Sequence, residues 1–263
     1  MLLPEQLSST RGLLSLELER EEGRERAVLA CLFQPGTDAA DDARLRAALS
    51  PEEAAVAARY QLPRRRGSYL MGRYCAKAAL APLLGENDLR RIGIHAGVFG
   101  QPLVRHRSGA PFGVSLTHWD TGAAAIAFPD GHPMGIDGES PNPDRLHTMS
   151  LSLSPEEARW AARSPLLRTT AAWTAREALS KVLRCGLMAP LEFLAIAPPA
   201  EADGNRGILE GNYAHFTQYR FVTLFHQQAV LSLCLPRRSR ITGVEAIAAV
   251  EAQVESSARL ESA

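Results

Sequence analysis

One segment of this sequence occurs twice. Leu49–Arg59 reads LSPEEAAVAAR and Leu153–Arg163 reads LSPEEARWAAR, identical at nine of eleven positions and 104 residues apart. A repeat at that spacing constrains the fold before any motif does, because each copy belongs to a unit of supersecondary structure that must bury itself against neighbours. In both copies a serine precedes Pro-Glu-Glu. Serine caps a helix, proline suits its first position, and acids complement its positive end, so each copy predicts a helix start.

The surroundings repeat as well. A long helical pattern follows each copy, SYLMGRYCAKAALAPLL and then TAAWTAREALSKVL. Strand-like runs flank them: AVLACLF and GVSLTHWDTGAAAIAF in the first half, PMGIDGE and YRFVTLFHQQAVLSLCL in the second. Each half therefore reads strand, helix, helix, strand pair. The predicted fold is α/β (α+β), two similar halves over 13–130 and 131–236 related by a pseudo-two-fold, with the active site in the cleft between them. FPDGHP joins the halves as a turn. Residues 199–212 read as a surface loop and 237–263 as a helical tail.

The chain has only two lysines, Lys77 and Lys181, and the same offset of 104 carries one onto the other. Formal charges balance at 29 against 29, which argues against a general nucleic-acid binder. The four cysteines form no CxxC pair and read as reduced core residues. No apolar run is long enough to span a membrane, and the N-terminal stretch lacks a signal-peptide design. A cytoplasmic protein is expected, monomeric because the two halves complete their own cleft.

Carboxylates mark the chemistry. Asp137 and Glu139 are i, i+2 on a strand and share a face. Like charges so close repel unless a cation or proton intervenes, though a polar strand end would look the same. Trp173, Glu177 and Lys181 follow at i, i+4, i+8 on one helix, which could equally be an ordinary surface ion pair. Taken together, three carboxylates suit a hard cation such as Mg²⁺, and the nearby lysine suits a phosphate oxygen. Arg64–Arg66 with Arg73 and Lys77 form the densest basic run, a phosphate site or a solvated face. His118, beside the hydroxyl of Thr117, is a binding residue or a structural histidine.

In this order the pieces RRGSYLMGRYCAKAAL, GQP, SLTHW, GIDGE and WTAREALSKVLRCGL, spread over most of residues 60–190, resemble the 4′-phosphopantetheinyl transferases of the two-halved, surfactin-synthetase-activating type. The resemblance implies an enzyme of the holo-acyl-carrier-protein synthase type. It would move the 4′-phosphopantetheine arm of coenzyme A onto a serine of an acyl or peptidyl carrier protein with Mg²⁺, releasing adenosine 3′,5′-bisphosphate. It further implies metal ligands at Asp137, Glu139 and Glu177, with Glu177 as candidate base and Lys181 on the pyrophosphate. Thr117 and His118 would meet a coenzyme A phosphate, and Arg65, Arg66, Arg73 and Lys77 the 3′-phosphate region. The chain departs from the family pattern at Arg176 (usually lysine), Thr117 (serine), Trp119 and Gly138. Two other readings compete: a non-catalytic relative that binds coenzyme A or a carrier, and a Mg²⁺-dependent phosphohydrolase.

Overall fold

A computed structural model describes residues 11–33, 43–199, 207–226 and 229–243. The elements of the first part are β1 (Arg11–Arg20), β2 (Gly23–Phe33), α1 (Ala43–Ala47), α2 (Pro51–Ala58), α3 (Pro63–Leu84), β3 (Gly93–Ala96), β4 (Pro102–Arg105), β5 (Phe112–Trp119) and β6 (Gly122–Pro129). Those of the second are β7 (Gly135–Glu139), α4 (Pro143–Ser150), α5 (Pro155–Ala161), α6 (Pro165–Leu183), β8 (Ile196–Ala197), β9 (Ile208–Tyr213), β10 (Tyr219–Phe225), β11 (Val230–Pro236) and β12 (Arg240–Thr242). The fold is mixed α/β, and its strands pair antiparallel throughout the described residues.

Two five-stranded sheets stand in the orders β12-β1-β2-β6-β5 and β7-β11-β10-β9-β8, and β3 and β4 form a separate hairpin. Strand periodicity explains the layering. Ala123, Ala125 and Ala127 of β6 point into a core shared with α3, while Ala124, Ile126 and Phe128 point the other way. That second face packs on Ile136, Val222, Leu231 and Leu233 of the other sheet. A third core joins Ala172, Ala175 and Leu179 of α6 to Phe221 and Cys234. The order of layers is α3, first sheet, second sheet, α6. A strand buried on both faces reads as a continuous apolar run, as β6 does.

The repeated segments form matching helix starts. Ser50 and Ser154 each cap a helix in a full capping box with Glu53 and Glu157, and a proline sits at the first turn of both. Each box is extended in the same way. The glutamate's other oxygen accepts the Ile94 amide at 3.1 Å in one case and the Ile196 amide at 3.0 Å in the other. A buried cation then reaches the glutamate from the following long helix: Lys77 on Glu53 and Arg176 on Glu157. Lys77 also donates to the Ala48 carbonyl and Arg176 to that of Ser152.

These contacts correct the expected equivalence of the two lysines. The cations that correspond are Lys77 and Arg176, 99 residues apart. The same spacing separates the left-handed C-caps Gly85 and Arg184. The helices are therefore displaced by five positions from the offset of the capping segments, and α3 carries Pro82 where α6 has Lys181.

Other expectations also change. The expected surface loop ends inside strand β9, which begins at Ile208 and pairs with β10 and β8. Arg240–Thr242, in the expected helical tail, is a strand on β1, and 244–263 lie outside the described residues. β1 itself was not foreseen, although Leu14, Leu16 and Leu18 alternate at strand period. All four cysteines are free thiols. No helix among the described residues is long and apolar enough to cross a membrane.

Candidate functional site

The edge strand β5 of the first sheet lies against the edge strand β7 of the second. Ser115 Oγ accepts the Ile136 amide at 3.1 Å and Thr117 Oγ1 accepts the Gly138 amide at 3.0 Å. Side-chain hydroxyls thus satisfy backbone donors that a ladder would otherwise use. This seam carries the carboxylates. Gly135, Asp137 and Glu139 share the face of β7 that meets α6. The helix approaches so closely that a Cβ on Gly135 would stand 2.1 Å from the Ala178 carbonyl oxygen. Glu177 and Lys181, one turn apart on α6, are brought to the same place.

Lys181 Nζ donates to Asp137 Oδ1 at 2.7 Å, to the Ile136 carbonyl at 2.8 Å and to the Leu116 carbonyl at 3.1 Å. An ammonium has three donors, so all are used in tying α6 to β5 and β7. Thr117 Oγ1 also donates to Asp137 Oδ1 at 3.0 Å. Glu139 pairs with Arg145 at the start of α4, a partner the sequence reading missed. Asn142 caps that helix and fixes the arginine's position.

Electrostatics marks Glu177. Burial, then the charge of Asp137, pushes its carboxyl up to about 7, against the opposing pull of Lys181. Glu139 adds further repulsion to Glu177. Glu139 itself is raised by burial, with Arg145 pulling it back down. His118 is held below the ordinary histidine range, first by desolvation and then by the positive charge of Lys181, so its imidazole is neutral near pH 7.

The three carboxylates fit a hard cation in donor chemistry, since they supply only oxygen and repel one another in one space. They are not gathered into a closed cage. Among the described residues no group of three or more histidine, cysteine or acidic side chains is so arranged, because Asp137 and Glu139 turn to Lys181 and Arg145.

The structure divides the remaining site residues. Arg65 is exposed on the first turn of α3. Arg66 and Arg73 are half-buried, and each has a buried Nε without a partner. Arg73 lies over the Tyr69 ring at 4.7 Å. Each of the two therefore keeps a donor that an anion can accept. Lys77 does not join them. Although at i+4 it shares a helix face with Arg73, its side chain is wholly buried on Glu53 and the Ala48 carbonyl. Thr117 lies in the β5–β7 seam, where its hydroxyl is engaged, and it points away from His118, its neighbour on the strand. Arg176 is only 1% exposed and holds Glu157, so the departure from lysine there concerns packing rather than substrate. Trp173 lines a separate groove of about 1360 Å³ with Leu151 and Arg159.

A cavity of about 610 Å³ opens between β4, β5 and the C-terminal end of α6. Arg73, Gln101, Lys181 and Arg184 are among its lining residues. The carboxylates lie outside that lining, and Lys181 connects the two places.

Residues 133–234 match the family model described as the 4′-phosphopantetheinyl transferase superfamily. The matched segment holds Asp137, Glu139, Glu177 and Lys181. No match is found among curated proteins.

Proposed function

We propose that this chain is a 4′-phosphopantetheinyl transferase of the two-halved, holo-acyl-carrier-protein synthase type. It would transfer the phosphopantetheine arm of coenzyme A to a serine of an acyl or peptidyl carrier protein, in the cytoplasm and as a monomer. Its two halves, 13–130 and 131–236, would be related by an approximate two-fold. The observation that carries the reading is Glu177. Within the family-matched segment, a carboxyl on α6 raised to about 7 feels the charge of two more carboxylates on β7, beside a lysine that ties α6 to β5 and β7.

The chemistry follows from these groups. The carrier serine oxygen attacks the β-phosphorus of coenzyme A, the bond to the adenosine 3′,5′-bisphosphate oxygen breaks, and the serine proton passes to Glu177. A carboxylate with a pKa near the working pH is suited to that role. Asp137, Glu139 and Glu177 would hold Mg²⁺, Glu139 first leaving Arg145. A bound Mg²⁺ would supply charge stabilisation at the pyrophosphate. Lys181 adds a fixed positive charge beside the leaving phosphate and keeps Asp137 in place. Arg66 and Arg73 would grip the 3′-phosphate and His118 would donate to it as a neutral imidazole, with Arg65 at the entrance. The carrier would dock near Ser140–Ser154, where Leu151 is exposed beside Arg159, suiting an acidic helical partner.

The test is transfer of a fluorescent pantetheine arm from coenzyme A to apo carrier proteins. Transfer by the natural chain, lost in Glu177→Ala while coenzyme A still binds, supports the enzyme. Binding without transfer to any of several carriers would leave a non-catalytic coenzyme A binder. Release of free phosphopantetheine without a carrier would indicate a phosphohydrolase.

A further inference from the structure

Arg184 ends α6 with φ 56° and ψ 26°, and it is the single non-glycine residue with positive φ among the described residues. The equivalent end of α3 is Gly85, at φ 62° and ψ 30°. A Cβ in this conformation crowds the following carbonyl, which is why glycine is the usual occupant. An arginine at the same backbone position is strained, and strain of this kind accumulates where a side chain has a task.

The surroundings of Arg184 indicate the task. It is exposed, and its guanidinium has no hydrogen-bond or ion-pair partner among the described residues. It lines the cavity of about 610 Å³ together with Arg73 and Lys181, against one carboxylate, Asp130. Lys181 has already used its donors on Asp137 and two carbonyls. The cationic donors of the cavity not already engaged therefore come from Arg184 and Arg73. The last carbonyls of α6 also point negative charge toward this end of the cavity, and a cation at the cap offsets their repulsion of an anion.

We propose that Arg184 binds a phosphate group of the nucleotide substrate, through the two parallel N–H donors an arginine offers to phosphate oxygens. The proposal rests on the reading of this chain as a coenzyme A enzyme. Arg184 is a specificity-determining contact in this scheme, and the left-handed cap places it at the rim of the cavity.

Arg184→Gly and Arg184→Asn both tolerate the left-handed backbone and remove the guanidinium. Calorimetric titration without a carrier would compare coenzyme A with 3′-dephospho-coenzyme A, and thermal unfolding would follow the same variants. The expected result is a Kd weakened about tenfold, the size of one charged hydrogen-bonded contact, with an Arg184→Gly unfolding midpoint at or above the natural one. Loss for both ligands assigns the contact to the diphosphate, and loss confined to coenzyme A assigns it to the 3′-phosphate. Unchanged affinity for both ligands, in a chain that binds coenzyme A, overturns the proposal while leaving the proposed function intact. A natural chain that binds neither ligand overturns both.

Discussion

The Ala178 carbonyl of α6 occupies the space where a side chain on Gly135 of β7 would begin, 2.1 Å from the position of a Cβ. That contact lets Glu177 and Lys181 reach Asp137 and Glu139, so packing and chemistry depend on the same missing methyl. Gly135→Ala must push a helix backbone away from a strand. Such overpacking costs about 1–3 kcal/mol, and it separates Lys181 from Asp137. Chemical denaturation should show the loss of stability, and transfer should fall more than coenzyme A binding. Gly138→Ala is the control. There the nearest atom is the end of the Leu231 side chain, which can turn aside, so a smaller loss is expected. Equal losses in the two variants would contradict the close approach.

The Glu177 carboxyl, moved from an ordinary 4.5 to about 7, makes a prediction about pH. The folded state binds its proton more tightly than the unfolded chain. This group's contribution to stability is therefore fully present below pH 4.5 and is lost as the pH rises through about 7. Its proposed use as a base has the opposite sign, because the anion would be the active form, so transfer should climb through the same interval. Carbon-13 titration of glutamate carboxyls in metal-free protein, assigned with Glu177→Gln, measures the value directly. Asp137→Asn removes the largest charge effect and should lower it. A Glu177 that titrates with the exposed glutamates, near about 4.3, would show that burial and repulsion do not act on it.

Lys77 and Arg176 are structural cations. Removing one partner of a buried pair leaves the other charge unpaired, at a cost of about 3–5 kcal/mol. Lys77→Met should therefore lower the unfolding midpoint strongly. The KM for coenzyme A in the folded fraction should stay unchanged, because the side chain never reaches the cleft. The double variant Glu53→Gln with Lys77→Met should recover part of the loss, since no uncompensated charge remains. A raised KM with normal stability would return Lys77 to the phosphate site.

What the sequence displayed of this site was its local chemistry. GIDGE put two carboxylates on one strand face because strand period is two. SPEEA announced both capped helices because capping is decided within four residues. The partners were hidden wherever they lay far along the chain. Nothing local distinguishes Lys77, held by Glu53, from Lys181, held by Asp137 44 residues away. The constant offset of 104 suggested that they were alike, and a five-residue displacement between the capping segments and the long helices made them different. The placement of Thr117 was hidden for a similar reason. A hydroxyl next to a histidine looks like a pair in the sequence, but strand alternation turns the two side chains to opposite faces. Arg184 gave no signal at all, because a left-handed arginine is visible only in the backbone.

Arg66 and Arg73 each keep a buried Nε without a partner, and a buried unsatisfied donor costs about 1–3 kcal/mol. A bound phosphate relieves that cost at both residues. Arg66→Ala and Arg73→Ala should therefore raise the KM for coenzyme A more than for 3′-dephospho-coenzyme A, with kcat little changed. Steady-state kinetics on both substrates makes the comparison. Equal effects on the two would remove these arginines from the 3′-phosphate.

Asp137 and Glu139 are engaged by cations of the protein, Lys181 at 2.7 Å and Arg145 on α4. Any divalent cation must compete with them. The two competitions differ in kind. Lys181 also holds two backbone carbonyls, so its charge stays at the site. Arg145 is half exposed and can swing into water at little cost. Asp137→Ala and Glu139→Ala should both raise the Mg²⁺ concentration needed for half-maximal transfer. Arg145→Ala should lower it, because Glu139 is then released. Titrating Mg²⁺ at fixed coenzyme A and carrier separates these outcomes. Natural Mg²⁺ dependence in Asp137→Ala or Glu139→Ala would remove that residue from the metal site. An unchanged requirement in Arg145→Ala would mean that Glu139 does not leave the arginine to bind the ion.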